Sequence, residues 1–130
     1  MNQTLINKYK ISFSYKLQSF ESGKAKYFPV AETSSSHLTD FLLTWSSSDE
    51  IEKHLIPEIE KIRNGFISEF ETGTETTSVT IGINTTIFYY GNKPEEYPQI
   101  PTQDLTDILL EWKNFLERPF NYNNLSPSAS

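Results

Sequence analysis

Two histidines, seventeen carboxylates and no cysteine are what this 130-residue chain offers for proton transfer or metal binding. His37 stands beside a serine run and His54 falls in a helical stretch. Neither has the spaced partners of a zinc site, because the chain contains no HExxH and no paired cysteines. Both read as capping or surface residues. The carboxylates gather as Glu69 with Glu71 on one strand face, Glu95 with Glu96 in a loop, and Asp104, Asp107 and Glu111 along one helix side. Acid and base catalysis needs two carboxyls whose surroundings drive their pKa values apart, whereas these pairs occupy the polar, solvated positions of their patterns. They are better suited to receiving Arg and Lys from another protein. The serines include no GxSxG elbow and no SxxK, and the five glycines form neither GxGxxG nor GxxxxGK[ST]. The expectation is a protein that is not an enzyme and that holds no cofactor and no metal.

Charge and composition narrow the class of partner. A formal net charge of -6 argues against nucleic acid, whose affinity for proteins comes largely from clustered Lys and Arg, and points to a basic protein surface. A modestly acidic balance also serves solubility alone. Absence of cysteine suits a reducing compartment. Met1 to Asn7 lacks the basic start and apolar run of a secretory signal, and no stretch reaches the length of a membrane span, so a cytoplasmic protein with no membrane role is expected.

The elements that would position these groups follow from periodicity. Tyr9, Ile11, Phe13, Tyr15 and Leu17 alternate with Lys8, Lys10, Ser12, Ser14, Lys16 and Gln18, which predicts a strand from Lys8 to Gln18 with one wet face. Glu21 to Lys24 reads as a turn, and Ala25 to Ala31 as a strand pairing back, with Pro29 near an edge. Leu38, Phe41, Leu42 and Trp45 predict a short helix. Ile51, Leu55, Ile59 and Ile62 predict a second from Asp49 to Asn64, capped by Ser47, closed by Gly65, and kinked or split at Pro57. Phe66 to Glu71, a Thr72-Gly73-Thr74 turn and Glu75 to Ile83 predict a hairpin. Thr85 to Tyr90 is either a separate strand after a tight turn at Asn84-Thr85 or the bent extension of one long strand, since Val79, Ile81, Ile83, Ile87 and Tyr89 keep one parity. Pro101 and Pro119 frame an amphipathic helix with Leu105, Ile108, Leu109, Trp112, Phe115 and Leu116 on its apolar stripe and Thr102 as its N-cap. Trp45 and Trp112 both lie on apolar stripes and read as core.

This order predicts one α+β domain over residues 1–119, a single mostly antiparallel sheet with helices packed on one face, and a loose tail over 120–130. The opposite sheet face would present Lys10, Ser12, Ser14, Lys16, Thr76, Ser78 and Thr80 as an open polar platform.

The downstream half, with a helix ending in IEKIRNG, strands FISEFET and TSVTIGIN, a polar Pro-containing loop and the helix pattern DILLEWKNFL, resembles the small immunity proteins of bacterial polymorphic toxin systems, including contact-dependent growth inhibition. The resemblance implies a cytosolic inhibitor that binds one cognate toxin domain, often a basic nuclease, and blocks its active site or substrate surface. No binding residues of that family map onto these motifs. Charge steering and aromatic anchoring instead nominate a rim of Glu69, Glu71, Glu75, Glu95, Glu96 and Asp104, with Tyr89, Tyr90 and Tyr97 as anchors. A general protein-interaction or accessory module is the leading alternative, and a small-molecule-binding domain or enzyme comes third.

Overall fold

A computed structural model describes residues 2–19, 21–74, 77–90, 95 and 97–118, and the expected tail over 120–130 lies outside them. The chain begins with a helix that the alternation at Lys8 to Gln18 concealed. Asn2 Oδ1 accepts the Thr4 amide at 2.7 Å and starts α1 (Gln3–Tyr9), and Lys10, left-handed at φ 53°, ends it. Leu5 and Tyr9 lie one turn apart and are both buried, so Tyr9 does face the core, but by helical rather than strand geometry. The expected strand therefore starts later: β1 spans Ser12–Ser19 and pairs antiparallel with β2 (Ala25–Glu32), with Tyr15 opposite Pro29.

That hairpin is a sheet by itself, which corrects the single-sheet expectation: the class is α+β, and the described residues form two antiparallel sheets of two and four strands. Phe13 and Tyr15 explain what the hairpin does instead of joining the other strands. They face the last helix, Phe13 with its ring 5.0 Å from Trp112 and Tyr15 with its ring 5.0 Å from Phe115. The open platform needs correcting as well. Lys10 belongs to a helix cap, Ser14 is buried with no partner for its Oγ among the described residues, Thr80 is buried, and Thr76 lies outside them.

Helix α2 (Ser36–Thr44) buries Leu38, Phe41 and Leu42. Next, α3 (Ser48–Glu50), a π-helical turn (Ile51–Leu55) and α4 (Ile56–Arg63) run on without a break. Ser47 Oγ accepts the Glu50 amide at 3.3 Å, as the capping pattern requires. Pro57 has no N–H, and its ring crowds the carbonyl four residues back. The wide turn ahead of it, in which the Ile56 amide reaches Ile51 O, absorbs that conflict without splitting the rod. At the far end the Gly65 amide bonds Ile62 O and the Phe66 amide bonds Lys61 O, a Schellman closure that needs Gly65 at φ 81°.

The larger sheet has the order β3 (Glu69–Gly73), β4 (Ser78–Gly82), β5 (Thr85–Tyr89), β6 (Gln99–Pro101), all antiparallel. Strand β3 runs on through the expected turn, since Thr72 and Gly73 still pair with Val79 and Ser78 and the Thr74 amide bonds Thr77 O at 2.8 Å. The tight turn at Ile83-Asn84 makes β5 a separate strand and resets its phase. Thr86 and Phe88, not Ile87 and Tyr89, therefore stand on the buried side with Ile81 and Val79.

Helix α5 (Thr102–Glu117) carries the middle of the core, with Leu105, Ile108, Leu109 and Trp112 fully buried. Pro101, not Thr102, occupies the N-cap. Thr102 turns inward instead: its amide bonds Asn84 O at 3.0 Å, its Oγ1 donates to Gly82 O at 2.7 Å and lies 2.9 Å from Thr86 Oγ1. These bonds pin the start of α5 to the β4–β5 turn. At the other end the Trp112 indole Nε1 donates to Leu42 O at 2.9 Å and Trp45 O at 2.8 Å, satisfying carbonyls where α2 ends.

His37 projects from α2 onto β5, its ring 4.8 Å from Phe88 and 6.2 Å from Tyr90. Burial lowers its pKa below the ordinary 6.5, and Asp40 opposes that shift. A depressed folded-state value means the unfolded chain takes up the proton first. The stability that depends on neutral His37 is thus complete above about pH 6.5 and is lost as pH falls through the folded value. Urea titrations across that window are expected to show this loss, and His37→Leu to flatten it.

Candidate functional site

Register assigns each side chain of the larger sheet to a face. One row reads Phe70, Ile81, Thr86, Ile100 and a second Thr72, Val79, Phe88, and these include the buried positions of the core. The other face carries the row Glu71, Thr80, Ile87, Gln99, together with Glu69, Ser78 and Tyr89. Strands β3 to β6 contain no Lys or Arg. From Asn64 to Trp112 the sequence has eight carboxylates against one basic residue, Lys93, so this span contains the chain's excess of negative charge. A cation approaching the outer face meets no repelling group on the strands themselves.

The nominated residues fall into separate places. Glu69 and Glu71 are exposed on β3, which among the described strands is an edge of its sheet. Tyr89 shares the outer face and is 38% exposed, and the Tyr97 ring meets it edge-on at 5.1 Å between centroids. An aromatic pair is therefore assembled from β5 and the segment before β6, on the face that also carries Glu69 and Glu71 two strands away. Tyr90 falls on the opposite parity, near His37, and Glu95 is exposed. Glu75 and Glu96 lie outside the described residues.

Asp104 has a different occupation. Its Oδ2 accepts the Tyr9 hydroxyl at 2.6 Å and the Lys8 ammonium at 3.1 Å, and its side chain is only 19% exposed. Sequence could not reveal this, because the partners are more than ninety residues away. Burial raises the Tyr9 pKa, and the hydrogen bond to Asp104 raises it further. Asp104 thus holds α1 against the start of α5. Tyr9→Phe is expected to lower stability by about 1.5–3 kcal/mol, the usual range for a bond to a charged group. Asp104→Ala should cost less in that background than alone, which a double-mutant cycle in urea would read out.

Two residues that periodicity did not single out as functional stand out by exposure. Phe66 is 79% exposed just after α4, and Ile83 is 61% exposed in the β4–β5 turn. The available signal was Ile83 itself, a β-branched apolar residue at a turn position that favours Asn, Asp or Gly. Beside it, Ile59, Ile62, Arg63, Ile83, Asn84, Thr102, Gln103 and Thr106 line a groove of about 200 Å³.

Among the described residues no group of three or more His, Asp or Glu is placed to hold a metal ion, and no helix is long and apolar enough to cross a membrane. No family model, no curated protein and no solved structure matches the chain.

Proposed function

We propose that the protein works by binding another protein, laying the outer face of the β3–β6 sheet against a basic surface. The observation that carries this reading is the distribution of charge and aromatics. Glu69 and Glu71 flank a face without Lys or Arg, and the Tyr89–Tyr97 pair supplies apolar contact area with polar tips. An acidic field speeds encounter with a basic partner, and rigid aromatic side chains slow its departure.

The partner class follows from the resemblance of the downstream half to immunity proteins: a cognate bacterial toxin domain such as a basic nuclease, neutralised in the cytoplasm by occlusion. Co-expression with candidate toxin domains, scored as host survival, tests this form of the reading, and a toxin-like C-terminal domain encoded next door would direct the choice of candidate. If the partner proves to be a basic protein without toxic activity, the accessory-module reading replaces the immunity one while the surface stays the same. The outer edge of β3, unpaired among the described strands, favours that second reading too, since an extended segment of any partner can add to such an edge. The small-molecule reading draws less support. The groove beside Ile83 and a second one of about 220 Å³ between Leu5 and Leu110 are both below the ~300 Å³ at which ordinary ligand sites begin.

A further inference from the structure

The groove bounded by the end of α4, the Ile83-Asn84 turn and the first turn of α5 lies outside the proposed sheet-face contact. Its walls are of two kinds. Ile59, Ile62 and Ile83 are apolar, with Ile83 largely exposed, while Arg63, Asn84 and Gln103 are polar. Arg63 is the one charged residue lining it, and among the described residues it makes no ion pair. Of the α5 carboxylates, Asp104 is already turned to Lys8 and Tyr9, and Asp107 accepts Gln103 Nε2 at 3.0 Å. The hydroxyls of Thr102 and Thr106 already donate to Gly82 O and Thr102 O.

We propose that this groove is a separate recognition site for the apolar C-terminal residue of a partner polypeptide, its side chain on Ile59, Ile62 and Ile83 and its carboxylate on Arg63. Charge selects the occupant. A guanidinium with no ion pair among the described residues, set beside three isoleucines in a groove of mixed lining, is complemented by a carboxylate attached directly to an apolar group, and its fork binds two carboxylate oxygens at once. Size selects it as well, because about 200 Å³ admits one residue rather than a drug-sized molecule. The turn chemistry agrees: an exposed isoleucine where a turn favours Asn or Gly sacrifices local preference, which is most often found where a surface has a task.

The test is a methyl-resolved NMR titration of the intact chain with N-acetyl-leucine and, separately, with N-acetyl-leucinamide. The acid is expected to shift the Ile59, Ile62 and Ile83 methyls saturably, the amide to bind at least about tenfold more weakly, and Arg63→Gln to bring the acid down to the amide's level. Arg63 is exposed, so that variant is expected to fold, and Ile83→Ser provides a second one in which both probes weaken together. Absence of a saturable shift at these three methyls overturns the proposal, as does equal binding of acid and amide, or an acid preference that survives in Arg63→Gln. The sheet-face reading is unaffected by any of these results.

Discussion

Trp112→Ala is expected to remove about 3–5 kcal/mol of stability, a large share of the roughly 5–15 kcal/mol that holds a domain of this size together. Trp112 is fully buried, its ring tilted against Phe13 and stacked on Phe115 with an interplanar angle of 11°. Its loss would open a void between α5, the β1–β2 hairpin and the end of α2, three elements that no shared sheet connects. Trp112→Phe separates the two contributions of the side chain. It keeps most of the ring area but strands Leu42 O and Trp45 O, and should cost about 1–3 kcal/mol. Urea denaturation of the two variants measures both terms. If the phenylalanine variant is as stable as the parent, the indole N–H is not what fastens α2 to α5.

The second large effect is expected at the surface and in binding, not in folding. Glu69→Lys with Glu71→Lys should slow association with a basic partner by about tenfold or more at low salt and flatten its dependence on ionic strength, because the steering field reverses on the edge strand. Tyr89→Ala should act on dissociation instead. An anchoring tyrosine typically contributes about 2 kcal/mol or more, roughly a thirtyfold change in affinity. All three residues are exposed, so the unfolding free energy should stay within about 0.5 kcal/mol of the parent. Surface plasmon resonance over a salt series separates the charge effect from the anchor effect.

What could be read from the chain depended on how far apart the cooperating residues are. The α5 stripe from Leu105 to Trp112 repeats at helical spacing and was legible directly, as were the Ser47 cap and the Gly65 closure, which involve neighbours only. Phase failed where a short turn intervened. Ile87 and Tyr89 share parity with Val79 and Ile81, yet the two-residue turn at Ile83-Asn84 places Thr86 and Phe88 inside, and the buried Thr86 is accommodated only because Thr102 lies 2.9 Å away. Helix α1 was hidden because its two buried residues, Leu5 and Tyr9, merge into the alternation that continues through Ile11 and Phe13. Strand partnership was not legible either, since alternation is the same whether β1 and β2 join the other strands or pair only with each other. Of the nominated surface residues, Tyr89 and Tyr97 come together and share a sheet face with Glu69 and Glu71 two strands away, whereas Asp104 is drawn into the fold by Tyr9, a contact no local pattern encodes.

On the proposed reading, the partner sits on the outer face of β3 to β6. Hydrogen exchange of the free protein and of the complex, compared amide by amide, tests it most directly. New protection is expected on β3 and around Tyr89 and Tyr97, with the β1–β2 hairpin and α2 exchanging as before. Protection confined to the hairpin or the helices, with β3 and β5 unchanged, would contradict it.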